Sequence, residues 1–419
     1  MQTLRKSLLQ FVFSGSSMRR WNDKLRPVEL YEVDKQAHKM ITAFFLYRLQ
    51  CRNLEPEACL ALGQEVVEGG LFDYFYRLVI TDIKPPVFYR IKENPEHYRQ
   101  LTEWVLGELE PVVRPMNEDF WQRLVAYHSR PQHPEGGPSL ADRLLRAAHL
   151  YASKWEFNLI RPLNYFDEEL RDIDSSFTEQ LRAMDDLEGV PQLLAGSGNA
   201  LVRTANLCGQ LRFQIRWSQT PRIPETSVLG HMFVVAAYAY FLSLTLGACE
   251  ARRLNNFFCG LFHDLPELLT RDIITPVKRS VEQLPAIIHQ YEDEELRRRV
   301  LLPLSEAGYA DIEERMAYYL GLESGSEFLE TIRDASGSVH CLSSFEELHL
   351  DCNANRLDPK DGRLVKICDT LAAFIEAHSS IYNGVSSPHL YEAMARIRGE
   401  YRRQTLGDFN VGTLLADFD

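Results

Sequence analysis

Apolar residues recur at three- and four-residue spacings along most of this 419-residue chain, and this periodicity restricts its possible folds more than any other feature. Residues spaced in this way cover one face of an α-helix, whereas a half-buried strand requires alternation. Runs of β-branched residues with such alternation are few and short. The sequence therefore predicts an all-α protein, with helices over 36–50, 56–69, 98–109, 139–153, 228–246, 251–262, 311–321 and 361–378.

The order of motifs in the first half of the chain returns in the second half. Each half has an Arg-Trp pair, a His in an apolar segment, an Asp shortly before a Pro, and an Asp near the start of a later helix. The first three matched pairs are separated by 196, 193 and 190 residues, which indicates a tandem duplication of one helical domain. Chance similarity between two sets of amphipathic helices is the alternative. The matched positions are Arg20 and Arg216, His38 and His231, Asp82 and Asp272, and Asp142 and Asp369.

A stretch rich in Gly, Pro and small residues divides the two halves. We predict a first domain over 1–185, a linker over 186–200 and a second domain over 201–419. Asp142 and Asp369 are 227 residues apart, which exceeds the separation of 190 by about 37 residues. The second domain is therefore expected to carry an insertion within 285–360.

Charge and composition exclude several classes of protein. The net charge of −13 disfavours binding to a nucleic-acid scaffold, which needs a basic stripe, but it allows a small anionic substrate held by local cations. The eight cysteines form no Cys-x-x-Cys pair and are expected to be reduced thiols in a cytoplasmic protein. No uninterrupted apolar run reaches the roughly 18–20 residues of a membrane span. The apolar part of the N-terminus is shorter than expected for a signal peptide.

Four polar side chains interrupt or follow apolar helices in the second half. His263 and Asp264 alone are typical of a helix end with a solvated face. Together with His231 and Asp369 they can converge inside a helical bundle, where carboxylates are costly unless they are paired or bound to a metal. These four residues therefore predict a site for a divalent cation. Mixed His and Asp ligation suits Mn, Co, Fe, Ni or Zn, and the identity of the metal, Mg included, stays open.

A metal at this site would lower the pKa of a bound water and make it a nucleophile. Glu267 follows His263 by four residues, so it lies one turn further on the same face if the helix continues. Its carboxylate could then take the proton of the attacking water.

Neighbouring residues are candidates for holding a substrate. Arg216 offers a bidentate fork for a phosphate, and Lys278 offers a second cation. Trp217 offers a flat face or a steric wall for a base or sugar. Asp272 and Thr275 flank a turn and could hydrogen-bond a sugar hydroxyl or a phosphate.

The combined motif resembles the HD-domain metal-dependent phosphohydrolases, whose ligand signature is His…His-Asp…Asp. An Arg-Trp pair, a His fifteen residues after its Arg and the segment HDLPELLTRDIITPVK are similar to the 5′-deoxynucleotidase branch of that superfamily, over roughly 200–385. The resemblance implies an HD-domain helical bundle that hydrolyses nucleoside 5′-monophosphates, in a branch whose members are typically dimeric. The roles it implies are metal ligation by His231, His263, Asp264 and Asp369, water activation by Glu267, and substrate contact by Arg216, Trp217, Asp272 and Thr275.

The chain departs from the family pattern in three places. Gly230 stands where an acidic residue usually precedes the first His, and Arg271 stands where a Gly usually precedes the Asp of the substrate turn. The insertion before Asp369 is also unusual. These departures place the identity of the substrate in doubt more than the binding of a metal.

Residues 15–160 in the first half are expected to be a degenerate copy of the HD domain without catalysis. Aligning the Gly-Leu-Phe segments places Asp73 at the position of the metal-binding His, Tyr74 at that of the adjacent Asp, and Arg77 at that of the general base. His38, Asp82 and Asp142 are retained in this alignment. Such a copy could serve as a pseudo-dimer partner within one chain, and a homodimer is the other possibility.

Three classes of function stay open at this point. The first is a metal-dependent phosphomonoesterase acting on a nucleotide, with a phosphodiesterase or a triphosphohydrolase on the same scaffold as a close rival. The second is a nucleotide sensor with little turnover, which would not need Glu267 as a base. The third is a helical scaffold without metal, which would leave the clustered polar residues without explanation.

Overall fold

The computed structural model describes residues 3–131, 136–271 and 281–419. The predicted all-α class is confirmed, because helices make up most of the described chain and its strands form only two short hairpins. The hairpins pair β1 (Thr331–Arg333) with β2 (Val339–Cys341) and β3 (Thr405–Leu406) with β4 (Phe409–Asn410), both antiparallel.

The helices of the N-terminal half are α1 (Lys6–Phe13), α2 (Glu32–Cys51), α3 (Pro56–Ile80), α4 (Pro85–Glu93), α5 (Pro95–Val113), α6 (Glu118–His128), α7 (Leu140–Ile160) and α8 (Glu169–Arg182). Those that follow are α9 (Val190–Ala195), α10 (Ala200–Gln210), α11 (Val228–Thr245), α12 (Glu250–Phe262), α13 (Glu267–Thr270), α14 (Leu284–Leu296), α15 (Leu302–Glu306), α16 (Ala310–Tyr319), α17 (Phe345–Leu350), α18 (Gly362–Tyr382), α19 (Pro388–Tyr401) and α20 (Val411–Ala416). A π-helical turn, Arg297–Leu301, joins α14 to α15.

One hydrophobic core extends through both halves of the chain. Helices α2, α3 and α7 of the first half and α11, α12 and α18 of the second all contribute buried residues to it. Aromatic rings meet across the halves, with Phe44 of α2 at centroid distances of 4.9 Å from Phe258 and 5.1 Å from Phe262, both in α12. Because the halves share this apolar surface, burial that stabilises one half also stabilises the other.

Helix α11 lies at the centre of this core. Its residues from Val228 to Leu244 are all buried, so it is apolar on every face as expected of a core helix. In the described part of the chain it is the one helix whose length and composition would allow it to cross a membrane, and 94% of it is buried inside the protein.

The predicted insertion and linker both contain regular structure. The segment 285–360 includes α14 to α17 and the first hairpin, and Cys259 of α12 approaches the carbonyl oxygen of Tyr319 to 3.3 Å. The predicted linker, 186–200, includes helix α9, whose Val190 is buried. The division of the chain into domains stays a prediction.

Cys51 and Cys59 are joined by a disulfide between the end of α2 and the start of α3. The expectation that all the cysteines are reduced is therefore wrong for this pair. The free cysteines are Cys208, Cys249, Cys259, Cys341, Cys352 and Cys368.

Candidate metal centre

Three of the four predicted metal ligands converge on one point at the C-terminal half of the core. His231 lies in the first turn of α11, His263 follows the last residue of α12, and Asp369 lies in the second turn of α18. Each residue offers one ligand atom, and these three atoms all lie within 4.8 Å of one another. The closest pair is His231 Nε2 and Asp369 Oδ1, at 3.1 Å.

Asp264, the fourth predicted ligand, points to the same place. Its Oδ2 lies 3.3 Å from His263 Nε2 and 3.7 Å from His231 Nε2. The same oxygen accepts a hydrogen bond of 3.1 Å from Arg216 Nη1. Two imidazoles and two carboxylates thus surround a common centre, as the sequence predicts, although Asp369 lies more than a hundred residues after the other three.

Pro266 accounts for the end of helix α12 just before the His-Asp pair. Proline lacks the N–H that would continue a helix, and α12 ends at Phe262 before a turn over 263–266. Helix α13 begins only at Glu267, whose N–H donates to Asp264 O at 3.1 Å. The helix therefore does not continue from His263 to Glu267, so the condition under which Glu267 would lie one turn further on the same face is not met.

The donor set fits a divalent cation. His263 Nδ1 lies 2.8 Å from Gly260 O and donates to it, so Nε2 carries the lone pair that faces the centre. That Nε2 is buried and has no hydrogen-bond partner among the described residues. A buried nitrogen without a partner is costly unless a ligand satisfies it, and neutral imidazole is a common ligand of Zn, Co, Mn and Fe.

The charges at the centre also favour a cation. Burial lowers the pKa of His263, but the carboxylates of Asp264 and Asp369 outweigh burial and raise it to about 9. Burial opposes the charge of Asp264, yet His263 and Arg216 hold its pKa well below the usual range. The carboxylates that favour a proton on His263 would favour a bound divalent cation by the same electrostatic attraction.

Glu376 is a site residue that the sequence analysis missed. It is buried, and its Oε2 accepts a hydrogen bond of 2.7 Å from Trp217 Nε1. Its Oε1 accepts from Thr226 Oγ1 at 2.9 Å and lies 3.4 Å from both Arg216 Nε and His231 Nδ1. A carboxylate beside Nδ1 favours the tautomer that leaves Nε2 available to a metal.

A sequence signal for Glu376 exists. It follows Asp369 by seven residues on α18, so the two side chains lie on the same face of that helix, two turns apart. Burial opposes its charge, but Arg216 holds the pKa of Glu376 well below the usual range.

Arg216 and Trp217 are placed beside the centre by an irregular segment before α11. Arg216 N donates to Thr226 O at 2.9 Å, and Trp217 has a φ of 57°, which is uncommon for a bulky residue and indicates that the surroundings impose it. The indole N–H is directed to Glu376, so Trp217 is oriented by the same carboxylate that lies beside His231.

Glu267 begins α13, three residues after Asp264, and is 9% exposed. Its carboxylate is among those that raise the pKa of Arg216, together with the carboxylates of Glu376, Asp264 and Asp369, although burial opposes the charge. The predicted substrate contacts Asp272, Thr275 and Lys278 lie outside the described residues.

Lys366 is a second residue that the sequence analysis missed. Its Nζ lies 2.8 Å from Asp369 Oδ2, and its side chain is 48% exposed. The ammonium also lies 4.4 Å from the ring centroid of Phe328, a residue of the predicted insertion whose ring centroid is 6.3 Å from that of His263. Phe328 therefore supplies one wall beside the centre.

The N-terminal half has a similar backbone arrangement around its own Arg-Trp pair. Arg20 N donates to Leu30 O at 2.8 Å, just as Arg216 N donates to Thr226 O in the C-terminal half. Arg20 and Arg216 are 196 residues apart, and so are Leu30 and Thr226. Two further positions with that separation share a left-handed φ, Trp21 at 56° and Trp217 at 57°.

The same separation places Lys35, and not His38, at the position of His231. Lys35 Nζ lies 2.8 Å from His149 Nδ1, in the way that His231 Nε2 lies beside Asp369. Glu156, seven residues after His149, accepts from Trp21 Nε1 at 3.0 Å, as Glu376 does from Trp217. The Lys35 ammonium and the His149 imidazole therefore occupy positions comparable to those of the predicted ligands His231 and Asp369.

Two residues aligned by sequence do not occupy ligand positions. His38 lies about one turn further along α2, where its Nε2 is 2.9 Å from Ala205 O. Asp142 forms the capping box of α7 with Ser139 and pairs with Arg130. The pairing of these two residues with metal ligands of the second half is therefore wrong.

The carboxylates of the N-terminal arrangement are paired with side-chain cations. Arg20 donates to Glu32 at 2.6 Å, Lys39 to Asp73 at 2.6 Å, and Arg77 to Asp82 at 2.8 Å. Burial and the adjacent Lys35 hold the pKa of His149 well below its usual range. The charges of these carboxylates are therefore balanced by the cations beside them. These residues do not form a cluster typical of a divalent-cation site.

An all-α fold in which α11, the turn after α12 and α18 bring two buried imidazoles and two carboxylates together is typical of proteins that bind a metal inside a helical bundle. Residues 208–398, which carry all four groups, match the family model for the HD domain. This match supports membership of that region in the HD-domain superfamily and a relationship to its metal-dependent phosphohydrolases. No curated protein and no solved structure matches the chain.

Proposed function

We propose that this protein is a metal-dependent phosphomonoesterase that hydrolyses nucleoside 5′-monophosphates or similar phosphomonoesters. The observation that carries the proposal is the convergence of His231, His263, Asp264 and Asp369, with the buried Nε2 of His263 directed to their common centre. His231, His263, Asp264 and Asp369 would hold a divalent cation. When bound, such a cation polarises a phosphoryl oxygen and makes a water molecule more acidic.

The side chains around the centre have complementary roles in this proposal. Glu267 accepts a proton from the attacking water and returns it to the leaving alkoxide. Arg216, fixed by Asp264 and Glu376, binds the phosphate and neutralises charge on its oxygens. Trp217 limits the space for the sugar or base, and Asp272, Thr275 and Lys278 are proposed to contact the substrate.

The N-terminal half is proposed to be a degenerate HD copy that pairs with the C-terminal half inside the chain. The shared backbone bonds of the two Arg-Trp segments and the equivalent roles of Glu156 and Glu376 support this duplication. A cytoplasmic location stays a prediction.

The test is phosphate release from a panel of nucleoside 5′-monophosphates by metal-stripped protein resupplied with Mn²⁺, Co²⁺ or Mg²⁺. We expect metal-dependent release that falls by at least a hundredfold in Glu267→Gln, in line with the ~10²–10⁴-fold contribution of a general base. Asp142→Asn is the control, because Asp142 is a carboxylate that caps a helix without belonging to this site.

Other outcomes would separate the rival functions. Hydrolysis of diesters or triphosphates but not of monophosphates would identify a phosphodiesterase or a triphosphohydrolase on the same scaffold. Tight binding of nucleotide without turnover in the presence of each metal would contradict the enzyme and favour the nucleotide sensor.

A further inference from the structure

We propose that Asp34, in the N-terminal half, is a positioning residue for the metal centre of the C-terminal half. It would act by fixing the first turn of α11 across the interface between the halves. The inference rests on the proposed function, because the predicted ligand His231 lies in that turn.

A continuous series of hydrogen bonds connects Asp34 to this turn. Asp34 Oδ1 accepts from Ser227 Oγ at 2.5 Å. Ser227 is the N-cap of α11, and its Oγ in turn accepts from Gly230 N at 2.9 Å. The hydroxyl has one proton, so its donation to Asp34 directs an oxygen lone pair towards the helix N–H groups. His231 N donates to Ser227 O at 3.0 Å, which ties the ligand to the same cap.

This carboxylate is enclosed, and burial raises its pKa to about 6 although Arg212 and Ser227 favour the charged form. Asp34 is buried, so water cannot replace the hydrogen bonds that it makes. A negative charge at the N-terminus of a helix is stabilised by the helix dipole and by its unpaired N–H groups. Asp34 therefore acts on the N-terminus of α11 through the N-cap Ser227, although it lies 193 positions before that residue.

Gly230 makes this approach possible. A Cβ added at Gly230 would lie 2.6 Å from Asp34 Oδ1 and 2.8 Å from Val33 Cγ1, both closer than side-chain atoms tolerate. Positions 34 and 230 are also related by the separation of 196 residues that relates Trp21 to Trp217. Equivalent positions thus face each other, as at the axis of a symmetric dimer.

This contact gives a reason for one departure from the family pattern. The acidic residue that the resemblance expects before the first His is absent at position 230 and present at the equivalent position 34. Two carboxylates at this contact would repel each other in a buried environment. With Gly on one side, a single carboxylate serves the α11 turn that holds His231.

The experiment measures the affinity of metal-stripped, full-length protein for Mn²⁺ by isothermal titration calorimetry, with Co²⁺ in parallel. We expect Asp34→Ala to weaken binding by about tenfold or more, the effect typical of residues that orient metal ligands. Asp34→Asn should lose less, because its amide oxygen can still accept from Ser227. The matched control is Asp142→Ala, which removes a carboxylate from the cap of α7 and should change affinity by less than twofold.

Ser227→Ala supplies a second, independent perturbation. It should weaken Mn²⁺ binding as Asp34→Ala does, and the double variant should lose less than the product of the two effects, because both remove the same hydrogen bond. If Asp34→Ala does not fold, Asp34→Asn and Ser227→Ala decide the question. Wild-type affinity in folded Asp34→Ala, or in both of those variants, would overturn the inference. If the wild-type protein binds neither Mn²⁺ nor Co²⁺, the proposed function itself is contradicted. That result differs from wild-type affinity in the variants, which contradicts only the role of Asp34.

Discussion

Substitution of Glu376 by Gln is the most informative perturbation of the candidate site. The change keeps the size of the side chain but removes a buried charge that lies beside Arg216 and His231 and accepts from Trp217 and Thr226. One oxygen of the carboxylate becomes an NH₂ group. That group must face at least one donor that it cannot satisfy, whichever way the amide is turned.

The magnitude follows from what the substitution leaves behind. A hydrogen bond to a buried charge contributes about 1.5–3 kcal/mol, and removing one partner of a buried ion pair costs about 3–5 kcal/mol. Arg216 keeps its bond to Asp264, so the loss is partial. We therefore expect the free energy of unfolding to fall by about 2–4 kcal/mol. Loss of the carboxylate beside His231 Nδ1 should weaken metal binding by about 10–100-fold.

Glu156→Gln provides the matched control. Glu156 is buried and accepts from Trp21, Arg20 and Arg212, as Glu376 accepts in its own half, but it has no metal ligand beside it. Urea denaturation should show comparable destabilisation for both variants, whereas calorimetric titration with Mn²⁺ should show weakened binding for Glu376→Gln alone. Equal effects on metal affinity in the two variants, or unchanged affinity in Glu376→Gln, would refute the reasoning.

Three further predictions concern the N-terminal half, the pocket wall and the interface. Burial lowers the pKa of Lys35 to about 8 from 10.5, although Glu32 opposes the shift. Between these pH values the unfolded chain binds more protons than the folded protein, so the contribution of Lys35 to the free energy of unfolding rises with pH. Urea denaturation at pH 8 and pH 10 should therefore show a smaller rise in the free energy of unfolding for Lys35→Met than for wild type. An equal rise would contradict this. We also propose that Lys366, which is 48% exposed beside Asp369, binds the phosphate of the substrate. Lys366→Met should then raise KM for a nucleoside 5′-monophosphate about tenfold with a smaller effect on kcat, and steady-state kinetics showing unchanged KM would exclude that role. Residues 201–419 expressed alone should aggregate or dimerise in light scattering, because the face of α11 that packs on α2 becomes exposed; a stable, fully active monomer would show that the N-terminal half is dispensable.

The sequence predicted the parts of the fold that depend on local periodicity. The segments 228–246 and 251–262 coincide closely with α11 and α12, because burying one or all faces of a helix imposes a pattern that is visible within a few turns. The segment 56–69 predicted the start of α3 but not its end, because α3 continues to Ile80. Helix α12 ends at Phe262, as predicted, ahead of Pro266.

The candidate ligands were also chosen from sequence, since His and Asp are recognisable donors at spacings that resemble a known family. His231, His263, Asp264 and Asp369 do meet in the structure. The equivalences assigned to the N-terminal half were less secure. A shift of about one helical turn keeps the apolar pattern of α2 but exchanges His38 for Lys35 at the critical position.

Composition and spacing thus determined the all-α class, the order of the helices and the types of residue available to hold a metal. Only the tertiary structure decided that Glu376 lies beside His231, that Asp34 accepts a hydrogen bond from the N-cap Ser227 of α11, and that Lys35 lies beside His149. The physical reason is that a helix records in its own sequence which face it buries, but not which side chain of a distant helix will meet that face. Hydrogen bonds and ion pairs between residues more than a hundred positions apart are fixed by packing, and packing is a property of the whole core.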